Sequence, residues 1–421
     1  MPQSLEDWLA HIERQHGQPI ALDLDRVREV SSKLGQHASC PVILVGGTNG
    51  KGSTCAMLER ILRYAGYRTG LYTSPHLLRY NERVRIDGED APDELLCQGF
   101  AAVEAARGEI PLTYFEYGTL AAWEAFAARR VEVVILEVGL GGRLDAVNIY
   151  DPDCAIVTTV DLDHMDYLGP DRESIGFEKA GIFRAGKAAI CGDPQPPQAL
   201  VQHAATIGAD LQVLGKDFGY LRLEQQWQFW GRSGKRSALA HPGLRGGNQL
   251  QNASVVLAAL DSLREQLPVA MQDIRRGLLE VEVAGRFQVL PGQPTIVLDV
   301  AHNPQAARVL ADNLGNMAFH PETWAVFGML KDKDVAAVIA AMKGRVTRWL
   351  PCTLPGPRAA TADELAEALV AQGVAAPIPR FESPAAALVY AREQAGDGDR
   401  IAAFGSFLTV ADVMRVLKRV A

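Results

Sequence analysis

Short apolar runs bounded by glycine and proline alternate with longer amphipathic stretches along most of the chain. Pro41–Val45 (PVILV) runs into a glycine-rich turn, and Ser53–Ala65 then has helical character. Val131–Val138 (VEVVILEV), β-branched and ending in glycines, and Asp153–Val160 (DCAIVTTV) have the composition of fully buried strands. Such strands alternating with helices predict parallel βαβ units and an open α/β sheet. From about Asp210 to Gly243 the rhythm breaks, with Trp227, Phe229 and Trp230 set among glycine, arginine and glutamine, which predicts a small antiparallel excursion. Gln249–Leu263 reads as a helix. A stretch bearing proline and glycine follows, and Thr295–Val300 (TIVLDV), Trp324–Phe327 and Arg400–Phe404 then restart the α/β rhythm. The expected division is a first domain over 1–285, a hinge over 286–294 and a smaller second domain over 295–421.

A length of 421 residues exceeds one compact core and agrees with that division. The net charge of −8, from 42 basic against 50 acidic residues, argues against nucleic acid or an anionic membrane as a partner, while leaving room for a local basic pocket. Six scattered cysteines (Cys40, Cys55, Cys97, Cys154, Cys191, Cys352) form no C-x-x-C pair, against a zinc cluster or disulfide framework and for a reducing compartment. The N-terminus lacks a basic segment followed by an apolar run, and no stretch approaches the roughly 20 apolar residues that cross a bilayer. A cytoplasmic monomer is expected.

The most informative segment is Val42–Thr54 (VILVGGTNGKGST), a buried strand entering a glycine-rich loop that opens a helix. Glycines let several backbone N–H groups face one anion, the helix N-terminus adds partial positive charge, and Lys51 can reach the outer phosphates. Ser53 or Thr54 offers a hydroxyl to a magnesium ion. The loop departs from the common G-x-x-x-x-G-K-S/T form, with Val45 in place of the first glycine and Gly52 between Lys51 and the hydroxyl. A glycine-rich turn that binds nothing is the bland alternative, and the strand, the lysine and two hydroxyls together argue against it. Thr48, Asn49, Gly50, Lys51, Gly52, Ser53 and Thr54 are therefore the expected triphosphate contacts. The fold expectation becomes a P-loop NTPase-like, mostly parallel sheet domain followed by a smaller Rossmann-like α/β domain.

Elsewhere the residues alone leave the choice open. Glu137 ends an apolar strand, where a carboxylate faces the ligand crevice of a doubly wound sheet and suits magnesium, or merely completes a strand end. His164 among acidic residues, Lys179 on a helix, and Asn248 and Asn252 at a helix start have ordinary structural readings as well.

The variant loop G-T-N-G-K-G-S resembles the phosphate loop of the Mur ligase superfamily. Thr73–Leu77 (TSPHL), Glu137–Asn148 (EVGLGGRLDAVN), Asp163–His164, Glu178–Ile182 (EKAGI) and Asp299–Pro304 (DVAHNP) are similar to the signatures of one branch, the folylpolyglutamate synthases, including their bifunctional dihydrofolate synthase form. The matches run from about residue 20 to residue 408.

That resemblance implies an ATP-dependent ligase that joins L-glutamate to dihydropteroate or folate through an acyl phosphate. It implies two magnesium ions, with Ser74, Glu137, His164 and Lys179 as metal-binding positions. Lys179 would be carbamylated by carbon dioxide, turning a cation into an anion. It also implies ATP contacts at Asn252, Asn248, Arg286, Asp299 and His302, with Lys331–Asp334 a further match. The pterin would lie against Ile20, Ala21, Leu22, Thr113, Tyr114, Phe115, Glu116, Leu144, Asp145 and Ala146, with His76, the loop Tyr80–Arg83 and Ser406 nearby. Lys51, His164, Lys179, Arg286 and His302 are the residues expected to serve catalysis.

Two rival readings remain at this stage. A Mur ligase acting on a UDP-muramyl precursor would share the loop, Glu137, His164 and Lys179. Such enzymes usually carry a separate N-terminal UDP-binding domain, whereas the loop begins here by residue 46. A P-loop nucleotide switch or binding module is the other. A GTPase switch would need a guanine-reading N-K-x-D, which is absent, and a binding module has no need of an acid, a histidine and a lysine beside the triphosphate.

Overall fold

The structure is a computed structural model that describes residues 2–15, 17 and 20–420, with side chains as far as Lys418. It divides into two compact units, one formed by the chain up to Gly243 together with Leu250–Val281, the other by Leu244–Gln249 together with Glu282 onward.

The first unit is built on eight strands: β1 (Val42–Gly46), β2 (Thr69–Tyr72), β3 (Val84–Ile86), β4 (Glu89–Asp90), β5 (Val133–Glu137), β6 (Cys154–Val157), β7 (Ala188–Cys191) and β8 (Asp210–Val213). Their order is β4-β3-β2-β5-β1-β6-β7-β8. The run from β2 to β8 is parallel, and the hairpin β3–β4 adds an antiparallel edge. The central strands β1 and β5 are buried at every position, as a parallel sheet covered on both faces requires. The phosphate-loop helix is Lys51–Tyr64. Helix Tyr114–Arg129 begins with a reciprocal cap, in which Thr113 and Glu116 each accept from the other's backbone N–H.

The expected antiparallel excursion is a three-stranded sheet of β9 (Gly219–Arg222), β10 (Trp227–Gly231) and β11 (Gly234–Leu239). It turns Trp227 and Phe229 inward, both fully buried. The strand before it, β8, pairs instead with the large sheet, and its last two residues, Gln212 and Val213, are buried.

The second unit carries β12 (Gln288–Leu290), β13 (Thr295–Leu298), β14 (Thr323–Phe327), β15 (Arg348–Pro351) and β16 (Arg400–Phe404) in the order β12-β13-β16-β14-β15. All pairings are parallel except β12 with β13. Within the stretch 286–294, Gln288–Leu290 is thus a strand of this sheet. Asn303 caps helix Pro304–Gly315 by accepting the Ala306 N–H at 2.9 Å, and Pro304 occupies the first turn, where its missing N–H costs nothing. All six cysteines are free thiols. Among the described residues no helix is long and apolar enough to cross a membrane.

Candidate active site

The phosphate loop leaves β1 at its carboxyl end and curls through two left-handed glycines, Gly47 (φ 137°) and Gly50 (φ 92°). A Cβ on Gly50 would stand 2.6 Å from Asn252 Oδ1, and one on Gly47 would stand 1.9 Å from Thr158 Oγ1. Left-handed backbone costs a side-chain-bearing residue about 1–2 kcal/mol, and here the space is also filled. Gly50→Ala is expected to raise KM for ATP about tenfold or more, since about 1.4 kcal/mol equals one decade. Steady-state kinetics with ATP varied at saturating second substrates check this.

Lys51 Nζ donates to the Gly47 and Thr48 carbonyls at 3.0 and 3.3 Å, which holds the ammonium over the loop. Ser53 and Thr54, in the first turn of the helix, are buried, and Thr54 Oγ1 has no hydrogen-bond partner among the described residues. A buried hydroxyl without a partner beside a loop shaped for an anion suits a site made for a triphosphate and its metal.

Glu137, at the carboxyl end of β5, is buried and accepts the Ser74 N–H at 3.2 Å. Adjacent parallel strands therefore bring the serine of TSPHL and the acid of EVGLGG together. Lys179, on helix Arg172–Ala180, is also buried. Burial first, and then the Lys51 ammonium, pull its amine down to about 7, against the opposing pull of Asp163 and Asp145. Asp145 is pushed up to about 7 by burial, although Leu140 and Val147 N–H groups donate to it at 2.8 and 3.1 Å and Lys51 lowers it. Lys179 thus feels Lys51, Asp163 and Asp145, and Asp145 in turn feels Lys51. The glycine loop after β5 makes this possible by close packing, since a Cβ on Gly142 would lie 2.9 Å from the Glu178 carbonyl. Arg143 fastens the same loop to Glu178 at 2.8 Å.

His164 sits at a left-handed position (φ 52°), unusual for a residue with a side chain, as often happens at functional sites. Its ring nitrogen is 3.9 Å from Asp163 Oδ1, whose oxygen accepts the His164 backbone N–H at 2.9 Å. Among the described residues no three His, Cys, Asp or Glu side chains converge on one point. Of the four residues expected to hold metal, Ser74, Glu137, His164 and Lys179, only Glu137 carries a carboxylate.

On the side expected to hold the pterin, Phe115 packs against Gly139, where a Cβ would come within 2.8 Å of its ring, and stands 5.7 Å from the Tyr72 ring. Tyr114 takes the Arg83 guanidinium over its ring at 5.4 Å, and Arg83 Nε donates to His76 Nδ1 at 2.9 Å. Thr113 and Glu116 have structural duties. Glu116 accepts the Thr113 N–H at 2.7 Å and pairs with Arg26 at 3.0 Å, so both carboxylate oxygens are engaged. Ile20, Ala21 and Leu22 form a partly exposed segment without regular structure ahead of Arg26, which reaches back toward the Ala21 carbonyl at 3.4 Å. Ala146 is buried and Leu144 partly so.

The two asparagines near 250 fall differently. Asn252 is buried beside Gly50 in the first unit. Asn248 belongs to the second unit, lining a cavity of about 330 Å³ with Asn313, Asn316, Asp312 and Arg345. In the second unit, Arg286 lies over the Phe407 ring at 5.1 Å, and His302 is 6.2 Å from the same ring. Asp299, just past β13, is pushed up to about 6 by burial, against the Arg286 charge and two N–H donors, Ala301 and Phe287, both at 2.8 Å. Ser406 follows β16, buried, with its hydroxyl accepting the Leu408 N–H at 3.2 Å. Arg286, Asp299, His302 and Ser406 therefore gather around the carboxyl ends of two neighbouring strands. Lys331 and Asp332 are engaged in surface pairs with Glu364 and Arg358 at 2.9 and 2.6 Å.

Two family models divide the chain between them: the Mur ligase middle domain over residues 45–260 and the Mur ligase glutamate ligase domain over residues 285–407. The dihydrofolate synthase/folylpolyglutamate synthase of Escherichia coli strain K12 is 45% identical over 414 residues, covering 98% of this chain and 95% of that protein. The chain belongs to the dihydrofolate synthase/folylpolyglutamate synthase family of Mur ligases. The Haemophilus influenzae member is 40% identical over 433 residues, with 98% of both chains covered. A structure of E. coli FolC in complex with DHPP and ADP superposes with a TM-score of 0.95 at 44% identity, covering 100% of this chain and 99% of that one. A bifunctional folylpolyglutamate synthase/dihydrofolate synthase solved with Mn, AMPPNP and L-glutamate bound gives a TM-score of 0.91 at 43% identity, covering 99% and 98%. As a member of this family the chain is an ATP-dependent glutamate ligase, with the Mur reading reduced to the superfamily level. The α/β architecture expected from the sequence, a large mostly parallel sheet followed by a separate smaller α/β unit, is the family's. Thr158 and Thr159 escaped the sequence reading: a threonine pair after a strand carries no signal until the loop it grips is seen.

Proposed function

We propose that the chain joins L-glutamate to 7,8-dihydropteroate and to the glutamate tail of tetrahydrofolates, using ATP and two magnesium ions. The observation that carries this reading is the convergence of Lys51, the Ser74–Glu137 contact and the buried Lys179 at the phosphate loop. A carboxylate oxygen of the acceptor attacks the γ-phosphorus and ADP leaves, giving an acyl phosphate. The amine of glutamate then attacks the carbonyl carbon, phosphate leaves, and a proton is released as the amide forms.

Lys51 and the loop N–H groups hold the phosphates and neutralise charge as it moves from the γ-phosphoryl to the leaving ADP. Ser74, Glu137, His164 and carbamylated Lys179 are the residues that would hold the metal ions. When bound, these ions supply Lewis-acid charge to the phosphoryl oxygens. Asn252, Arg286, Asp299 and His302 are assigned to the nucleotide. Phe115 provides a flat apolar face for the pterin, with Asp145 and the neighbouring strand-end loops orienting it. The enzyme is proposed to be a monomer of the cytoplasm; its six free thiols fit a reducing compartment.

Phosphate release from ATP and magnesium, measured with 7,8-dihydropteroate and then tetrahydrofolate, each with and without L-glutamate, tests the proposal. Glutamate-dependent turnover with both acceptors is the expected result. Turnover with one acceptor would narrow the activity, and turnover only with a UDP-muramyl substrate would overturn it. Phe115→Ala should raise KM for dihydropteroate by about 2–10-fold, the loss of one stacking face worth roughly 0.5–1.5 kcal/mol, while leaving KM for ATP unchanged. Kinetics with each substrate varied in turn would decide it, and equal changes in both constants would remove Phe115 from the pterin pocket.

A further inference from the structure

Two threonines outside the proposed contacts tie the phosphate loop to the loop that carries His164. After β6 the chain turns through Thr158–Asp161. Thr158 Oγ1 donates to the Asn49 carbonyl at 2.7 Å and lies 3.2 Å from the Gly46 carbonyl. Thr159 Oγ1 donates to the same Asn49 carbonyl and accepts the Asn49 N–H, each at 3.1 Å. The Thr159 carbonyl accepts the Thr48 N–H at 2.8 Å. Thr48 Oγ1 then donates to the Asp161 carbonyl at 3.1 Å and accepts the Asp161 N–H at 3.0 Å. His164 follows three residues later.

These bonds have an electrostatic consequence. A loop that binds an anion must show it N–H groups and turn its carbonyl oxygens elsewhere. The Asn49 carbonyl is held by two hydroxyls on the Thr158–Thr159 side, where its partial negative charge cannot oppose a phosphate. The same bonds make the phosphate loop and the turn leading to His164 one hydrogen-bonded strip, so a shift of either displaces the other.

We propose that Thr159, with Thr158, is a positioning residue that couples nucleotide binding to divalent-ion binding. By reciprocity, each ligand then strengthens the other by the same factor. The inference rests on the proposed ATP and metal site.

Thr159→Val keeps the shape and removes only the hydroxyl, at a position that is partly exposed and so tolerant of the exchange. Loss of the two hydroxyl bonds is expected to weaken binding about tenfold, the equivalent of about 1.4 kcal/mol. AMPPNP binding by the full chain, titrated calorimetrically with and without Mn²⁺, is the readout. The expected result is about tenfold weaker binding in the presence of metal, a several-fold smaller enhancement by metal, an unchanged KM for L-glutamate, and recovery in Thr159→Ser. An unchanged metal enhancement in Thr159→Val, a loss that Thr159→Ser fails to restore, or a variant that does not fold would each overturn the proposal. A wild type that bound no AMPPNP would instead overturn the nucleotide-site reading on which it rests.

Discussion

Lys51→Met is expected to lower glutamate-dependent phosphate release by about a thousandfold or more, the equivalent of roughly 4 kcal/mol of transition-state stabilisation. Lys51 is the first residue of a helix, its ammonium is held by two loop carbonyls, and it is half-exposed rather than packed into the core. Methionine keeps the length of the stem, so the fold has little reason to respond. Unfolding midpoints of the variant and wild type should agree while turnover collapses. Lys51→Arg should recover little, because a planar guanidinium is wider than an ammonium and cannot sit over the same two carbonyls. Retained turnover in Lys51→Met would move the phosphate contact to another residue and sink the mechanism as drawn. An equal loss of stability and turnover would leave the lysine a structural role alone.

The parts of this enzyme that were legible in the sequence are those in which local chemistry and global fold agree. β1 and β5 announce themselves because strands buried on both faces need unbroken apolar runs, and the loop between β1 and its helix needs glycines at Gly47 and Gly50 for backbone reasons that appear in any sequence. Lys179 was opaque: a lysine in the last turn of a helix, beside Glu178, has the pattern of a solvated side chain. It is nevertheless buried, on a helix against which the 139–145 loop packs closely. Thr113 and Glu116, expected at the pterin, instead form a capping box, and the ion pair that occupies Glu116 comes from Arg26, 90 residues away. Asn248 and Asn252 are neighbours in sequence and lie in different units, a separation that periodicity along one helix start does not reveal. Residues whose role depends on a long-range neighbour were identified through family resemblance or missed, as Thr158 and Thr159 were.

Lys179→Met is expected to abolish turnover, by about a thousandfold or more, and yet to stabilise the fold in carbon-dioxide-free buffer at neutral pH. A buried amine held at about 7, against its ordinary 10.5, is protonated more readily in the unfolded chain than in the folded one. Between pH 7 and 10.5 the unfolded state therefore binds about one proton more, and stability rises with pH across that window by up to about 1.4 kcal/mol per unit. Below about 7 both states are protonated and the cost is constant. At pH 7 methionine removes most of that cost, on the order of a few kcal/mol. Denaturant titrations at pH 7 and pH 9 should show a wild type that gains stability with pH and a variant that gains far less. Loss of turnover follows from the proposed carbamate, which only a neutral amine can form. Wild-type enzyme stripped of carbon dioxide should accordingly recover activity on addition of bicarbonate, faster as pH rises toward about 7 when the dissolved carbon dioxide is held constant. Lys179→Met should remain inactive whatever the bicarbonate concentration. Full activity in bicarbonate-free enzyme would refute the carbamate while leaving the stability argument intact, because that argument requires only that the amine be buried.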